Sequence, residues 1–440
     1  MSIRDRALLL ALSLCCGMPV AEAALPIETW RTAAGARVLF VATRDLPIVD
    51  VSVEFPAGSS RDPAGRAGLA RLTLQLMRAG AGAMSESEIS DRLADAGAVL
   101  SASAELDRAG YALRSLSAPE TLELGLTVLE AVLAAPGFDS AVFERERARA
   151  VSSLRESLTR PGAIAEREFS GRVYGVHPYG AAAGSSPESI AALSRSDLVE
   201  FHRRHYVAER AVLAIIGDLS RAEAQRMADR LTTRLPRARG ALDPLPAVPR
   251  LAQPVETHIA HPASQAHLRI GAPGMRRGDP DYYALWLGNH ILGGSGLNSR
   301  LSAELREKRG LAYSAYSYFA PYALEGPFVL GAQTQRSQAA EALAAMRATL
   351  KKFVDEGPTE AELEAAKQNV VGGFVLRVDS NAKILEYLAL IGFYDLPLDY
   401  IERFPREIEK VSLRQVRDAF RRRIDPARMV TVVVGPAPDS

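Results

Sequence analysis

The chain carries one segment twice. "LSRSDLVEFHRRHYVAERAVLAIIGDLS" (193–220) lies without gaps on "VSLRQVRDAFRRRIDPARMVTVVVGPAP" (411–438), an offset of 218 residues in a chain of 440. Each copy reads as an amphipathic helix, a short turn, an apolar β run ending at Gly217 or Gly435, and a polar exit. A repeat at half the chain length restricts the architecture to two similar halves. Between them, "LPRARGALDPLPAVPRLAQP" (235–254) is rich in proline and lacks periodicity, as an extended linker does. The expected organisation is a leader over 1–23, an N-terminal domain over 24–235, a linker over 236–254 and a C-terminal domain over 255–440.

Each half opens with alternating strands. In the first, Val49, Val51, Val53 and Phe55 face one way while Asp50, Ser52 and Glu54 face the other, the period of a half-buried strand. Helices follow: Ser85-Glu86-Ser87-Glu88 and Thr359-Glu360-Ala361-Glu362 both have the pattern of a capping box. Strand pairs followed by helix pairs, twice, predict an α+β fold. Its two homologous lobes are each a mostly antiparallel sheet with helices packed on one face, and together they enclose a cleft.

At the N-terminus, Arg4 and Arg6 precede an apolar run over 7–18 and then Ala21-Glu22-Ala23, the layout of a secretion signal cleaved after small residues. The run is shorter than the roughly 20 residues a membrane anchor needs. A lipid anchor at Cys15 or Cys16 fits poorly, because Leu14 or Cys15 would stand where a small side chain is expected. The expected location is therefore the periplasm or outside the cell. Those two cysteines are the only ones, so the mature chain has none for a disulfide. No later segment reads as a membrane span. With 53 basic and 52 acidic side chains there is no broad field to draw nucleic acid, and specificity must lie in local sites.

Three stretches carry a family resemblance: "VLFVATRDLPIVDVSVEFPAGSSRDPAGRAGLARL" (38–72), "FHRRHYVAERAVLAIIGD" (201–218) and, most specifically, "LGGSGLNSRLSAELREKRGLAYSAYS" (292–317). They resemble the insulinase-like (M16, pitrilysin-type) zinc metallopeptidases, above all the short bacterial members and the mitochondrial processing peptidase subunits. The resemblance covers nearly all of the mature chain. Active members of that family carry H-x-x-E-H on the helix after "GLA", where two histidines bind zinc, the glutamate activates water, and a further glutamate downstream completes the ligand set. Here the positions read Arg71, Leu72, Thr73, Leu74 and Gln75. Both histidines are absent and Leu74 stands in place of the base. The downstream glutamate position falls near Ser153, with Glu146 retained earlier in the same stretch. The resemblance thus implies a chain that binds no metal and does not hydrolyse peptides alone. Its motif helix would remain for packing, with Leu69, Leu72 and Leu76 as a core stripe.

The other half of the family's active site is present in "LREKRGLAY". Arg306 and Tyr313 match the arginine and tyrosine that reach across the cleft to hold the peptide carbonyl and stabilise charge on its oxygen. Some short members work as pairs in which one subunit supplies zinc and the other this pair. The resemblance therefore implies an exported, zinc-less subunit that binds peptide and completes the site of a zinc-bearing partner. Two other readings stay open: a catalytically silent peptide-binding or assembly protein of the same fold, and an autonomous zinc peptidase with unrecognised ligands.

The remaining motifs read as structural. His202 and His205 form H-x-x-H on a helix, yet the repeat puts Phe420 and Arg423 in the same slots, which points to packing and surface roles. His258, His261 and His267 are scattered around a strand, and His177 and His290 are isolated. Gly293, Gly294 and Gly296 follow a helix and lead to Asn298 and Arg300, unlike a phosphate loop, which runs from strand to helix. Arg421, Arg422 and Arg423 read as a solvated helix end.

Overall fold

The computed structural model describes residues 25–435; the leader expected over 1–23 lies outside the described residues. Strands β1 (Glu28–Arg31), β2 (Arg37–Ala42), β3 (Ile48–Phe55), β4 (Val99–Ala104), β5 (Ala109–Leu116) and β6 (Val212–Gly217) form a sheet in the order β1-β2-β6-β3-β5-β4. Strands β7 (Val255–Ala260), β8 (Gln265–Pro273), β9 (Ala312–Phe319), β10 (Pro327–Gln335) and β11 (Val430–Gly435) form a second, in the order β7-β11-β8-β10-β9. With β1 set aside the two orders coincide. Each sheet has a single parallel pairing, β2 with β6 and β7 with β11, and the rest is antiparallel. The sequence repeat is therefore a repeat of topology.

Six helices position the site: α1 (Leu69–Met77), α2 (Ser140–Ser157), α3 (Pro161–Tyr174), α4 (Arg195–His205), α5 (Asn381–Phe393) and α6 (Leu413–Arg423). The repeated pair, α4 and α6, starts at equivalent positions, and each opens with a capping box, Ser194 with Asp197 and Ser412 with Gln415. The boxes at Ser85 with Glu88 and Thr359 with Glu362 also form. The tract that closes α6 is a helix end with Arg421 and Arg422 exposed, and all three arginines are also tied to neighbouring elements. Arg423 pairs with the buried Asp279 at 2.7 Å and with Asp281 at 3.0 Å, and Arg422 pairs with Asp281 at 2.6 Å. Arg421 donates to the carbonyls of Val354 and Asp355.

Each half's own helices cover one face of its sheet. Val49, Val51, Val53 and Phe55 pack in one core with Leu69, Leu72 and Leu76 of α1. The second face is covered by a helix from the opposite half. On the N-terminal sheet, Leu385, Leu388, Ala389 and Ile391 of α5 pack on Leu39, Val41, Val212, Ala214 and Ile216. On the C-terminal sheet, Ala165, Phe169 and Val173 of α3 pack on Val329, Val430, Val432 and Val434. The approach is close enough to require glycine. A Cβ at Gly392 would lie 2.5 Å from Val212 Cγ1, and one at Gly271 would lie 2.7 Å from Phe169 Cζ.

This exchange overturns the half-buried reading of β3. Asp50, Ser52 and Glu54 are 3%, 4% and 5% exposed, because α5 lies over the face they occupy. Arg114 donates to both oxygens of Asp50 at 2.7 and 3.0 Å and Ser52 donates to Glu54 Oε1 at 3.2 Å, while Glu54 Oε2 is buried without a hydrogen-bond partner. Burial pushes the Glu54 carboxyl up from its ordinary value, against the pull of Arg108.

The stretch between Thr233 and Val255 holds no helix or strand. The halves are instead pinned at Asp107, itself buried. It accepts from Tyr179 at 2.7 Å, from Tyr394 just beyond α5 at 3.0 Å, and from the Ala323 N–H at 2.7 Å. Because the exchanged helices belong to both halves, damage to one should be felt in the other. Phe169→Ala, which empties a fully buried site on the C-terminal sheet, is expected to cost about 3–5 kcal/mol. Trp30 reports the N-terminal half and Trp286 the C-terminal half. In a Trp286→Phe background, denaturant unfolding followed by Trp30 fluorescence should still show the loss. A Trp30 transition unmoved by Phe169→Ala would mean that the halves unfold independently.

Candidate functional site

Helix α1 begins without a capping side chain of its own. Its N-cap, Gly68, sits at φ 100°, and Asp62 reaches in to accept from the N–H groups of Gly68 at 2.8 Å and Ala70 at 2.7 Å. Burial pushes the Asp62 carboxyl up to about 6, although both N–H bonds oppose the shift. Leu69, Leu72, Leu76 and Met77 are buried, so the packing stripe read from the sequence is present. Leu74 is buried too, and its carbonyl accepts from the Tyr111 hydroxyl. Arg71 and Gln75, one turn apart, occupy the exposed face.

That face overlooks a groove of about 810 Å³, whose lining includes Arg71, Gln75, Arg149, Ser153, Arg160 and Tyr322. A neighbouring hollow of about 600 Å³ shares Arg71, Gln75 and Arg149 and adds Leu74 and Glu146. The acid that meets Gln75 is Glu146. The Gln75 amide donates to Glu146 Oε2 at 2.7 Å, Arg145 donates to Oε1 at 2.8 Å, and Arg149 stands 3.7 Å from Oε2. Ser153 lies two turns further along α2 and shares the lining of the larger groove with Gln75. The carboxylate hydrogen-bonded to the motif helix is thus Glu146, and the groove wall beyond it carries Ser153.

Arg306 and Tyr313 come together elsewhere. A wide π turn over Ala303–Lys308 carries Arg306, and Gly310 at φ 63° lets the chain turn back into β9. Leu305 and Leu311 are buried, and the Leu311 N–H bonds the Leu305 carbonyl at 2.7 Å. This anchor leaves the two residues outside it stacked against one another, with the Arg306 guanidinium 4.8 Å from the centre of the Tyr313 ring. Tyr313 is 83% exposed, an unusual surface position for so large a ring. Neither residue lines the groove at α1; from the C-terminal half, Tyr322 does.

The model for "Insulinase (Peptidase family M16)" matches residues 37–182, and that for "Peptidase M16 inactive domain" matches residues 192–370. A crystal structure titled as a peptidase M16 inactive domain, from Pseudomonas fluorescens, superposes with a TM-score of 0.90 at 36% identity, covering 94% of this chain and 98% of that one. The chain belongs to the insulinase, or M16, peptidase family. Among its M16 relatives is a protein of Mycobacterium tuberculosis named an uncharacterized zinc protease, 31% identical over 61% of this chain and 61% of that protein. The match therefore spans about three-fifths of that relative's length. A Helicobacter pylori protein named a non-peptidase homolog is 23% identical over 87% of both chains.

Zinc, the metal of the family's active members, does not fit the residues present here. Arg71 puts a fixed cation in place of one ligand, and Gln75 spends its amide N–H on Glu146, so the carboxylate bonded to this face of α1 is already engaged. Among the described residues no group of three His, Cys, Asp or Glu side chains is placed to hold a metal. The H-x-x-H pair is occupied with packing. His202 bonds the Leu133 carbonyl at 2.9 Å and stacks on Tyr206 at 5.3 Å, and His205 packs on Phe201 at 4.4 Å.

Two outcomes follow. If Glu146 is what remains of the ligand set, Arg71→His with Gln75→His should retain about one equivalent of zinc after dialysis, and adding Glu146→Gln should abolish it. Retention that survives Glu146→Gln but not Ser153→Ala would reassign the position to Ser153. For His205, burial, reinforced by Arg204 and Arg61, holds the ring down from 6.5 to about 4, so the fold favours the neutral form. Its contribution is complete above pH 6.5 and is lost as the pH falls towards 4. That interval corresponds to about 3 kcal/mol. Urea unfolding at pH 7 and pH 4 should show the native chain losing about that much more than His205→Gln; equal losses would mean that His205 is not held neutral.

Proposed function

We propose that this chain is the zinc-less subunit of an exported, two-chain M16 peptidase, binding peptide and completing the site of a zinc-bearing homologue. The observation that carries this reading is the Arg306–Tyr313 pair. It is assembled, exposed and outside the lining of the groove at its own chain's degenerate motif helix, so its presentation suits a site on another molecule. In that role the pair holds the peptide carbonyl and stabilises charge developing on its oxygen, while zinc and the attacking water belong to the partner. The peptide main chain adds to β4, one of the two edge strands of the N-terminal sheet. Export follows from the leader over 1–23, with cleavage after Ala23.

A second reading, a silent peptide-binding or assembly protein, draws support from the names of two relatives, the "inactive domain" of Pseudomonas fluorescens and the "non-peptidase homolog" of Helicobacter pylori. A mixing experiment separates the two. The mature chain alone should cleave no peptide, and addition of the zinc-bearing homologue should give activity. Arg306→Ala and Tyr313→Phe should each lower kcat of the mixture by about 10²–10³-fold, the loss typical of one donor to a developing oxyanion. Stimulation that both variants preserve would leave a binding or assembly role without catalytic assistance. Failure of the two chains to associate would remove the partnership.

A further inference from the structure

We propose that the groove at the degenerate metal site binds a peptide carboxylate, with Arg71 as its principal contact. The inference rests on the peptide-binding reading and adds the chemistry of the peptide. It begins from charges left unpaired. Among the described residues, the side chains of Arg71 and Arg160 make no ion pair and donate no hydrogen bond, although both line the groove. Arg149, which lies beside them, has only a long contact of 3.7 Å with Glu146. Three guanidinium groups thus share one concave surface.

The carboxylates nearby are already engaged. Asp62 uses both oxygens to cap α1, and Glu105 is held by Arg108 through two bonds at 3.0 and 2.9 Å. Glu146 has Gln75 and Arg145. Glu105 and Glu146 are matched by cations of their own, and Asp62, bonded to neutral N–H groups, is a single anion against three arginines, so the groove keeps an excess of positive charge. Between the arginines the walls mix small or hydroxylic side chains, among them Ala70, Ala104, Ser153 and Ser157, with apolar ones such as Leu106 and Leu154, a lining that suits an extended chain. Ala104 ends β4, so a peptide paired to that edge passes directly over the groove.

A guanidinium suits this ligand. Its planar fork matches a carboxylate through two parallel N–H bonds and stays charged at every accessible pH. Arginine at the former ligand position therefore preserves the sign of the charge that a metal would present, while changing what it recognises from a lone pair of a peptide carbonyl to a full anion. The carboxylate can come from an acidic side chain or from the free C-terminus of a peptide, and the chemistry is the same.

Isothermal titration calorimetry on the mature chain distinguishes these sources. Four unlabelled peptides of one length are compared: one with acidic side chains and an amidated terminus, one neutral with a free terminus, one neutral and amidated, and one basic and amidated. At least one of the two carboxylate-bearing peptides should bind about tenfold or more tightly than the neutral amidated one, and whichever does identifies the source. The basic peptide should bind most weakly. Added salt should narrow the differences. Arg71→Gln should remove the preference and Arg71→Lys should restore part of it; because Arg71 is exposed, the circular dichroism of both should match the native chain. Equal affinity for carboxylate-bearing and neutral amidated peptides, or a preference that Arg71→Gln leaves intact, would overturn the carboxylate site while leaving peptide binding standing. Binding of none of the four would overturn both.

Discussion

The exchange of helices between halves is the contact on which the rest of this molecule depends. A sheet has two faces, and in a chain of two similar halves each half supplies enough helix from its own packing layer to cover one of them. The other face of the N-terminal sheet carries Leu39, Val41 and Ile216, and that of the C-terminal sheet carries Val329, Val432 and Val434. Left to water, each would expose these apolar side chains. Helix α5 covers the first and α3 the second, so neither half completes its core without the other. The linker has no regular structure but packs Leu245, Val248 and Leu251 on the core around α3, and it joins the two helices and the Asp107 pin in holding the halves together.

This arrangement explains how a metal site could be lost without loss of the fold. Helix α1 is held by Leu69, Leu72, Leu76 and Met77, by the Asp62 cap, and by the bond from Tyr111 to the Leu74 carbonyl. None of these is a ligand position. Arg71 and Gln75 lie on the opposite face, where substitution changes surface charge and leaves the packing alone. Leu74 is the exception. In place of a catalytic carboxylate it puts a buried apolar side chain, which needs no partner and so removes a desolvation cost.

The two-lobed fold was legible because its signals are periodic and local. The repeat, the alternation in β3 and the capping boxes all depend on residues close in sequence, and the structure keeps the offset between α4 and α6. What could not be read was which surface each face meets. Asp50, Ser52 and Glu54 looked like a solvent face since alternation reports that a strand has two faces; it does not report that a helix some 330 residues later will cover the polar one. Ser153 and Glu146 show the same limit at the site. Seven residues are two helical turns, so both lie on the same side of α2, and that Gln75 bonds Glu146 is visible only in the tertiary structure. Arg149, Arg160 and Tyr322 carried no motif, and it is their convergence on one groove that singles them out. Arg306 and Tyr313 were found only through resemblance; nothing in their spacing alone distinguishes them from an exposed helix arginine and a strand tyrosine.

Glu146 shows that the substitutions at α1 form a consistent set. A buried carboxylate that had lost a metal would be left with uncompensated charge, which is among the costlier defects a core can hold. Gln75 answers this directly, since its amide supplies an N–H where a histidine ligand would have supplied a lone pair towards the metal. Arg145 takes the other oxygen, and Arg149 adds a more distant positive charge. With Glu146 satisfied from these positions, Arg71 is not needed to balance it. That is why Arg71 stands without a partner among the described residues, and why its charge faces the groove instead of the core.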